Sequence, residues 1–70
     1  MTWEEVRNNW LPLRDQVQGH WTKLSRDDFF AIAGRRHQLI TFLRLRYELD
    51  ETNAAAQADA FVQALQVLSL

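Results

Sequence analysis

The sequence predicts an all-α fold: a small bundle of four to five short helices, arranged as two crossed helical hairpins. Three observations lead there. Apolar residues recur every three or four positions and never alternate as a strand would. Side chains that start helices stand ahead of most of these runs. Only two Gly and one Pro occur in 70 residues, which leaves few places for loops. A hydrophobic fraction of 47% and a charged fraction of 24% lie far from the composition of disordered chains, and the length suits a single domain over residues 1–70.

The first run is the most regular. Trp3, Val6, Trp10, Leu13, Val17 and Trp21 fall within about an 80° arc at about 100° per residue, so they form one core-facing stripe. Thr2 with Glu5 makes a capping-box pair that starts the helix. Pro12 lacks an N–H and collides with the carbonyl four residues back, that of Asn8, so it must interrupt the run. Because the stripe keeps its phase across Pro12, two nearly collinear helical pieces are expected, about 3–9 and 10–19. Asn8 or Asn9 would cap the second, and Gly19 with His20 would end it. The stripe also places Trp10 and Trp21 in the core, with Trp3 nearer a fraying end.

Ser25, followed by Asp27 and Asp28, starts the next helix: a hydroxyl cap with two acids where the helix dipole favours them. Phe29, Ile32 and Ala33 supply its apolar face, and Gly34 offers a left-handed C-terminal cap. From Arg35 the chain turns helical again, with Leu39, Ile40, Leu43 and Tyr47 inside an arc of about 100°. Asp50 or Thr52 caps a last, Ala-rich helix. Its seam is Ala54, Ala58, Phe61, Leu65 and Leu68.

The net charge of -1 hides a strong segregation. Residues 35–46 hold Arg35, Arg36, Arg44 and Arg46 with no acid, and residues 47–70 hold Glu48, Asp50, Glu51 and Asp59 with no base. Packing these segments as antiparallel neighbours would bring complementary rims together. Asp27, Asp28, Asp50 and Glu51 are the acids expected to pair with Arg35 and Arg36.

Across these elements run Trp21 to Asp28 (WTKLSRDD), Ile32 to Leu39 (IAGRRHQL) and Arg46-Tyr47. They follow Trp3, Asn9-Trp10, Leu13 and Val17 in order. In these marks the chain resembles the CsbD-like family of small bacterial general stress-response proteins over about residues 2–60. The resemblance implies a compact helical bundle and brings no catalytic or ligand residues. The family's Gly-Lys pairs are replaced by Pro12-Leu13-Arg14-Asp15 and Ile40-Thr41-Phe42, and Glu48 stands where a Gly usually follows Arg-Tyr. This chain is therefore less hydrophilic than the family pattern.

Two sets of candidate functional residues follow. Arg35, Arg36, Arg44 and Arg46 could bind an anion or nucleic-acid phosphate beside the start of a helix. Phe42, Leu45 and Leu49 form a second apolar stripe, separated from the core stripe by Arg46. With Val62, Val67 and Leu70 they offer more apolar surface than a small bundle covers, which points to a protein contact: an unknown partner or a weak homo-oligomer.

Other classes find little support. There is no Cys, and His20 and His37 stand without a ligand pattern around them, so neither a metal nor a cofactor is expected. Ser25 with either His and an Asp makes no recognisable triad, so no enzymatic activity is expected. Acids rather than bases near the start, and the lack of a run of about 20 apolar residues, predict a cytoplasmic protein without a membrane span. The chain reads as a small stress-response protein that works by binding or self-association, with an anion-binding or nucleic-acid-binding module as the alternative.

Overall fold

The computed structural model describes residues 1–65 and is all-helical. Its order is α1 (Trp3–Asn8), a 3-10 turn (Leu11–Leu13), α2 (Arg14–His20), α3 (Arg26–Ile32), α4 (Arg36–Tyr47) and α5 (Glu51–Ala64). Successive helices pack on one another, α2 on α3, α3 on α4 and, most extensively, α4 on α5.

Helix starts follow the side-chain chemistry. The Thr2 hydroxyl accepts from the Glu5 N–H at 3.2 Å while Glu5 accepts from the Thr2 N–H at 2.9 Å, a reciprocal capping box. Those bonds favour the ionised carboxylate and hold the Glu5 pKa below its ordinary value. Ser25 and Asp28 repeat the box at α3, and Asp50 accepts from Asn53 N–H at 2.7 Å to start α5. Thr52 takes no part in that cap, because the helix already begins at Glu51.

Pro12 breaks the first run as expected, but the second α-helical piece begins at Arg14 and not at residue 10. A 3-10 turn fills the gap, with Pro12 among its first residues, where a missing N–H costs least. No side chain caps α2. Asn9 instead reaches back with its amide to donate to the Glu5 carbonyl at 2.8 Å, so it closes α1. Gly19 lies inside α2, which continues to His20.

The stripe nevertheless reaches the core: Val6, Trp10, Leu13, Val17 and Trp21 are buried together with Leu24, Phe29, Ile32, Leu39, Ile40, Leu43, Ala54, Ala58, Phe61 and Val62. Leu65 packs partly against this core, and Leu68 lies outside the described residues. All three indoles find partners. Trp10 stacks on Phe29 at 4.5 Å between centroids and donates to the Phe29 carbonyl at 2.7 Å. Trp21 donates to Gln57 at 3.3 Å, and half-buried Trp3 donates to Asp59 at 3.1 Å. The Met1 nitrogen donates to the Leu65 carbonyl at 2.9 Å, tying the start of the chain to the end of α5.

The turn between α3 and α4 departs from expectation in one residue. Ala33, at φ 54, is the left-handed cap, and Gly34 follows at φ 74. Gly34 is required for a tertiary reason as well: a Cβ there would sit 2.7 Å from the Arg7 Cα. The turn thus lies directly on the α1 backbone, and only glycine permits that approach.

Candidate functional site on helix α4

Helix α4 carries both candidate sets, and its angular layout separates them. Leu39, Ile40 and Leu43 are buried, with Tyr47 half-buried beside them. Measured from Leu39 at about 100° per residue, Arg36 falls at about 60°, within the arc of the core stripe but in the first turn of the helix, and Arg46 at about 340°, on the border of the stripe. Both reach acids on neighbouring helices. Arg44 falls at about 140°, outside the core stripe, and is exposed.

Arg46 grips Asp28 of α3 with two bonds, Nε to Oδ2 and Nη2 to Oδ1, each 2.8 Å. Asp28 is only 4% exposed and also accepts from the Ser25 N–H at 3.1 Å. The Arg46 hydrogen bonds are the main reason its carboxyl pKa is lowered from 3.8 to about 2; burial opposes the shift, and the bond from Ser25 adds to it. Arg36 makes the matching fork with Asp59 of α5, at 2.9 and 3.0 Å. Asp59 also receives the Trp3 indole, and its carboxyl is held below the usual value, first by Arg36.

The basic and acidic segments therefore do pair, through Arg36 and Asp59, though not through the acids expected. Asp28, expected to face Arg35 or Arg36, belongs to Arg46. Among the described residues Arg35 and Arg44 make no ion pair. Arg35 is the N-cap of α4 and makes no side-chain capping bond. It stands nine residues from Arg44, roughly 13 Å along the helix axis. The four arginines do not converge on one point.

The second stripe also divides. Phe42 and Leu49 are half-buried and pack against the core, so they belong partly to the fold. Leu45 is 65% exposed. Val62 is buried in the core, while Val67 and Leu70 lie outside the described residues. Leu45 and Leu49 share a depression of about 410 Å³ with Thr41, Arg44 and Glu48. One residue from the anion set thus lines the same hollow as two from the apolar set. Thr41 and Glu48 were missed by sequence reasoning, although the spacing 41, 44, 45, 48 is a single helical face.

A second depression, of about 400 Å³, lies at His20, Gln57, Ala60, Phe61, Ala64 and Leu65. His20 meets Trp21 edge to face at 4.6 Å and Phe61 at 5.0 Å. Neither histidine joins a cluster of three or more metal-ligating side chains among the described residues. None of the described helices is long and apolar enough to cross a membrane.

Known proteins share this chain's sequence across most of its length. It is 33% identical over 61 residues to a UPF0337 protein of Nitrosomonas europaea, covering 87% of this chain and 65% of that relative's length. It is 31% identical over 61 residues to the UPF0337 protein YjbJ of Escherichia coli, covering 87% of this chain and 88% of the relative. A UPF0337 protein of Rhodopseudomonas palustris is 33% identical over 66 residues, covering 94% of this chain and 100% of that protein. No family model and no solved structure matches the chain. At these identities and coverages the chain belongs to the UPF0337, or CsbD-like, family.

Proposed function

We propose that this chain is a small, non-catalytic, cytoplasmic stress-response protein that acts by binding or self-association, with the outer face of α4 as its contact surface. The observation that carries the contact surface is Leu45. It stands 65% exposed in a depression with Leu49, on the face of α4 opposite the core. Leu11 is exposed to the same 65%, but Leu45 shares its depression with a second leucine, and adjacent apolar side chains in a hollow offer surface that another molecule can cover. The stress-response part is supported by the likeness to the CsbD-like pattern.

The anion reading is the weaker of the two, because Arg36 and Arg46 are already held by carboxylates. It keeps Arg35 and Arg44, which are too far apart to grip one small anion.

The test is complementation in a strain that lacks the gene, with survival scored under osmotic, ethanol and heat challenge. Expression of the chain is expected to restore survival, while Leu45→Glu, present at the same level and equally helical by circular dichroism, does not. Full rescue by Leu45→Glu would overturn the contact surface. Unimpaired survival of the strain without the gene would overturn the stress role.

A further inference from the structure

We propose that the outer face of α4 pairs with the same face of a second copy of this chain, the two helices antiparallel about a two-fold axis. Arg44 of each copy then meets Glu48 of the other. This rests on the contact-surface reading above and names the partner.

The patch carries its own complement. Arg44 lies in the last turn of α4 and Glu48 is its C-cap, four residues on; both are exposed or half-exposed, and neither makes an ion pair among the described residues. The inward arginines of the same helix are each held in a two-bond fork. Opposite charges left uncommitted beside Leu45 and Leu49 suit a surface of mixed sign, and the surface at hand with that pattern is the patch itself.

The angular order then selects the geometry. Measured from Leu39, Arg44 falls at about 140° and Leu45 at about 240°; the Cα of Glu48, the left-handed C-cap at φ 54, follows at about 180°, and Glu48 lines the depression together with Arg44, so both charges border one flank of the exposed leucine. Leu49, one residue past the cap, joins Leu45 in the depression. In an antiparallel two-fold contact each flank faces the identical flank of the partner, so Arg44 and Glu48 oppose each other twice. A parallel contact would set the charged flank against the leucine flank and leave the charges unpaired. Five residues make a small interface, well under the ~1,200 Å² of stable complexes, so association is weak, half complete between roughly 0.1 and 1 mM.

Sedimentation of the whole chain from about 10 µM to about 1 mM at low salt tests this. The parent is expected to show a reversible monomer–dimer equilibrium. Arg44→Glu alone and Glu48→Arg alone each raise Kd about tenfold, since like charges then face each other in their own dimers. An equimolar mixture of the two variants returns Kd to within about threefold of the parent, because an acidic copy meets a basic copy at both contacts. Rescue by mixing cannot come from changes within either chain. A parent that stays monomeric at about 1 mM overturns self-pairing; if Leu45→Glu still fails to complement, the contact surface stands with a different protein as partner. A parent dimer indifferent to either charge reversal, or a mixture no tighter than its components, overturns the antiparallel α4 pairing.

Discussion

The molecule contains the same three residue types, Trp, Asp and Arg, at two places where helices are joined. At α3, Trp10 stacks on Phe29 and bonds its carbonyl, and next to it Asp28 is gripped by Arg46. At α5, Trp3 and Arg36 converge on Asp59. The arginine forks nearly match, though Trp10 donates to a backbone carbonyl and Trp3 to the carboxylate itself. The larger difference is water. The Asp28 side chain is 6% exposed and that of Asp59 is 38% exposed. An ion pair with one member in the core leaves a costly charge behind when it is broken, whereas a pair at the rim is replaced by solvent. The α3 junction should therefore govern stability and the α5 junction should trim it.

Trp10→Ala would break the first junction hardest. Trp10 is 7% exposed, and its loss removes the ring stack, the bond to Phe29 and the volume between the 3-10 turn and α3. About 3–5 kcal/mol is expected, against a total of roughly 3–10 kcal/mol for a chain of this length. Thermal denaturation followed by circular dichroism should show the variant largely unfolded at room temperature or melting more than about 15 °C lower. A melting point within a few degrees of the parent would remove the distinction between the junctions.

Asp28→Asn sharpens the comparison through pH. Asp28 is lowered to about 2 from 3.8, chiefly by Arg46, so the folded state prefers the ionised form. A depressed acid stabilises fully above its unfolded value and loses that contribution as pH falls through its folded value. The shift corresponds to roughly 2 kcal/mol. Asparagine resembles the protonated acid, so the variant should be less stable than the parent by about that amount from pH 7 down to about pH 5. The gap should close between about pH 4 and pH 2. Urea unfolding at stepped pH measures it, and a gap that persists unchanged at pH 2 would assign the loss to the cap at Ser25 instead of the charge.

How much of this could be read in the sequence depends on distance along the chain. Thr2 with Glu5, Ser25 and Asp50 were legible because a cap bonds an amide only three residues away. The break at Pro12 was legible for the same reason, but the 3-10 turn that fills it was not. Whether a broken helix resumes as α or 3-10 depends on how Trp10 and Leu13 seat in the core. The left-handed turn begins at Ala33, one residue ahead of the expected Gly34. Gly34 answers to the Arg7 backbone, 27 positions away, which no local pattern shows. On α4, the angular positions of Arg36 and Arg46 are arithmetic on the sequence, yet their partners, 23 and 18 residues distant, required the packing of α5 and α3. The exposed Leu45 was legible as part of a second stripe. The division of that stripe was not, because Phe42 and Leu49 pack partly against the core.

Arg36→Ala tests the weaker junction and should have the smallest effect. Arg36 and Asp59 have side-chain exposures of 46% and 38%, so water replaces the guanidinium readily when it is removed. Asp59 keeps the Trp3 indole as a donor, so its carboxylate is not stranded. A loss of about 0.2–1 kcal/mol is expected at low salt, shrinking further at 1 M salt, where the Debye length is about 3 Å. Urea unfolding at both ionic strengths measures it. A loss above about 2 kcal/mol that salt leaves unchanged would mean that Arg36 serves the fold through its packed aliphatic stem. The contrast between the two junctions would then rest on side-chain contact area and not on the burial of an acid.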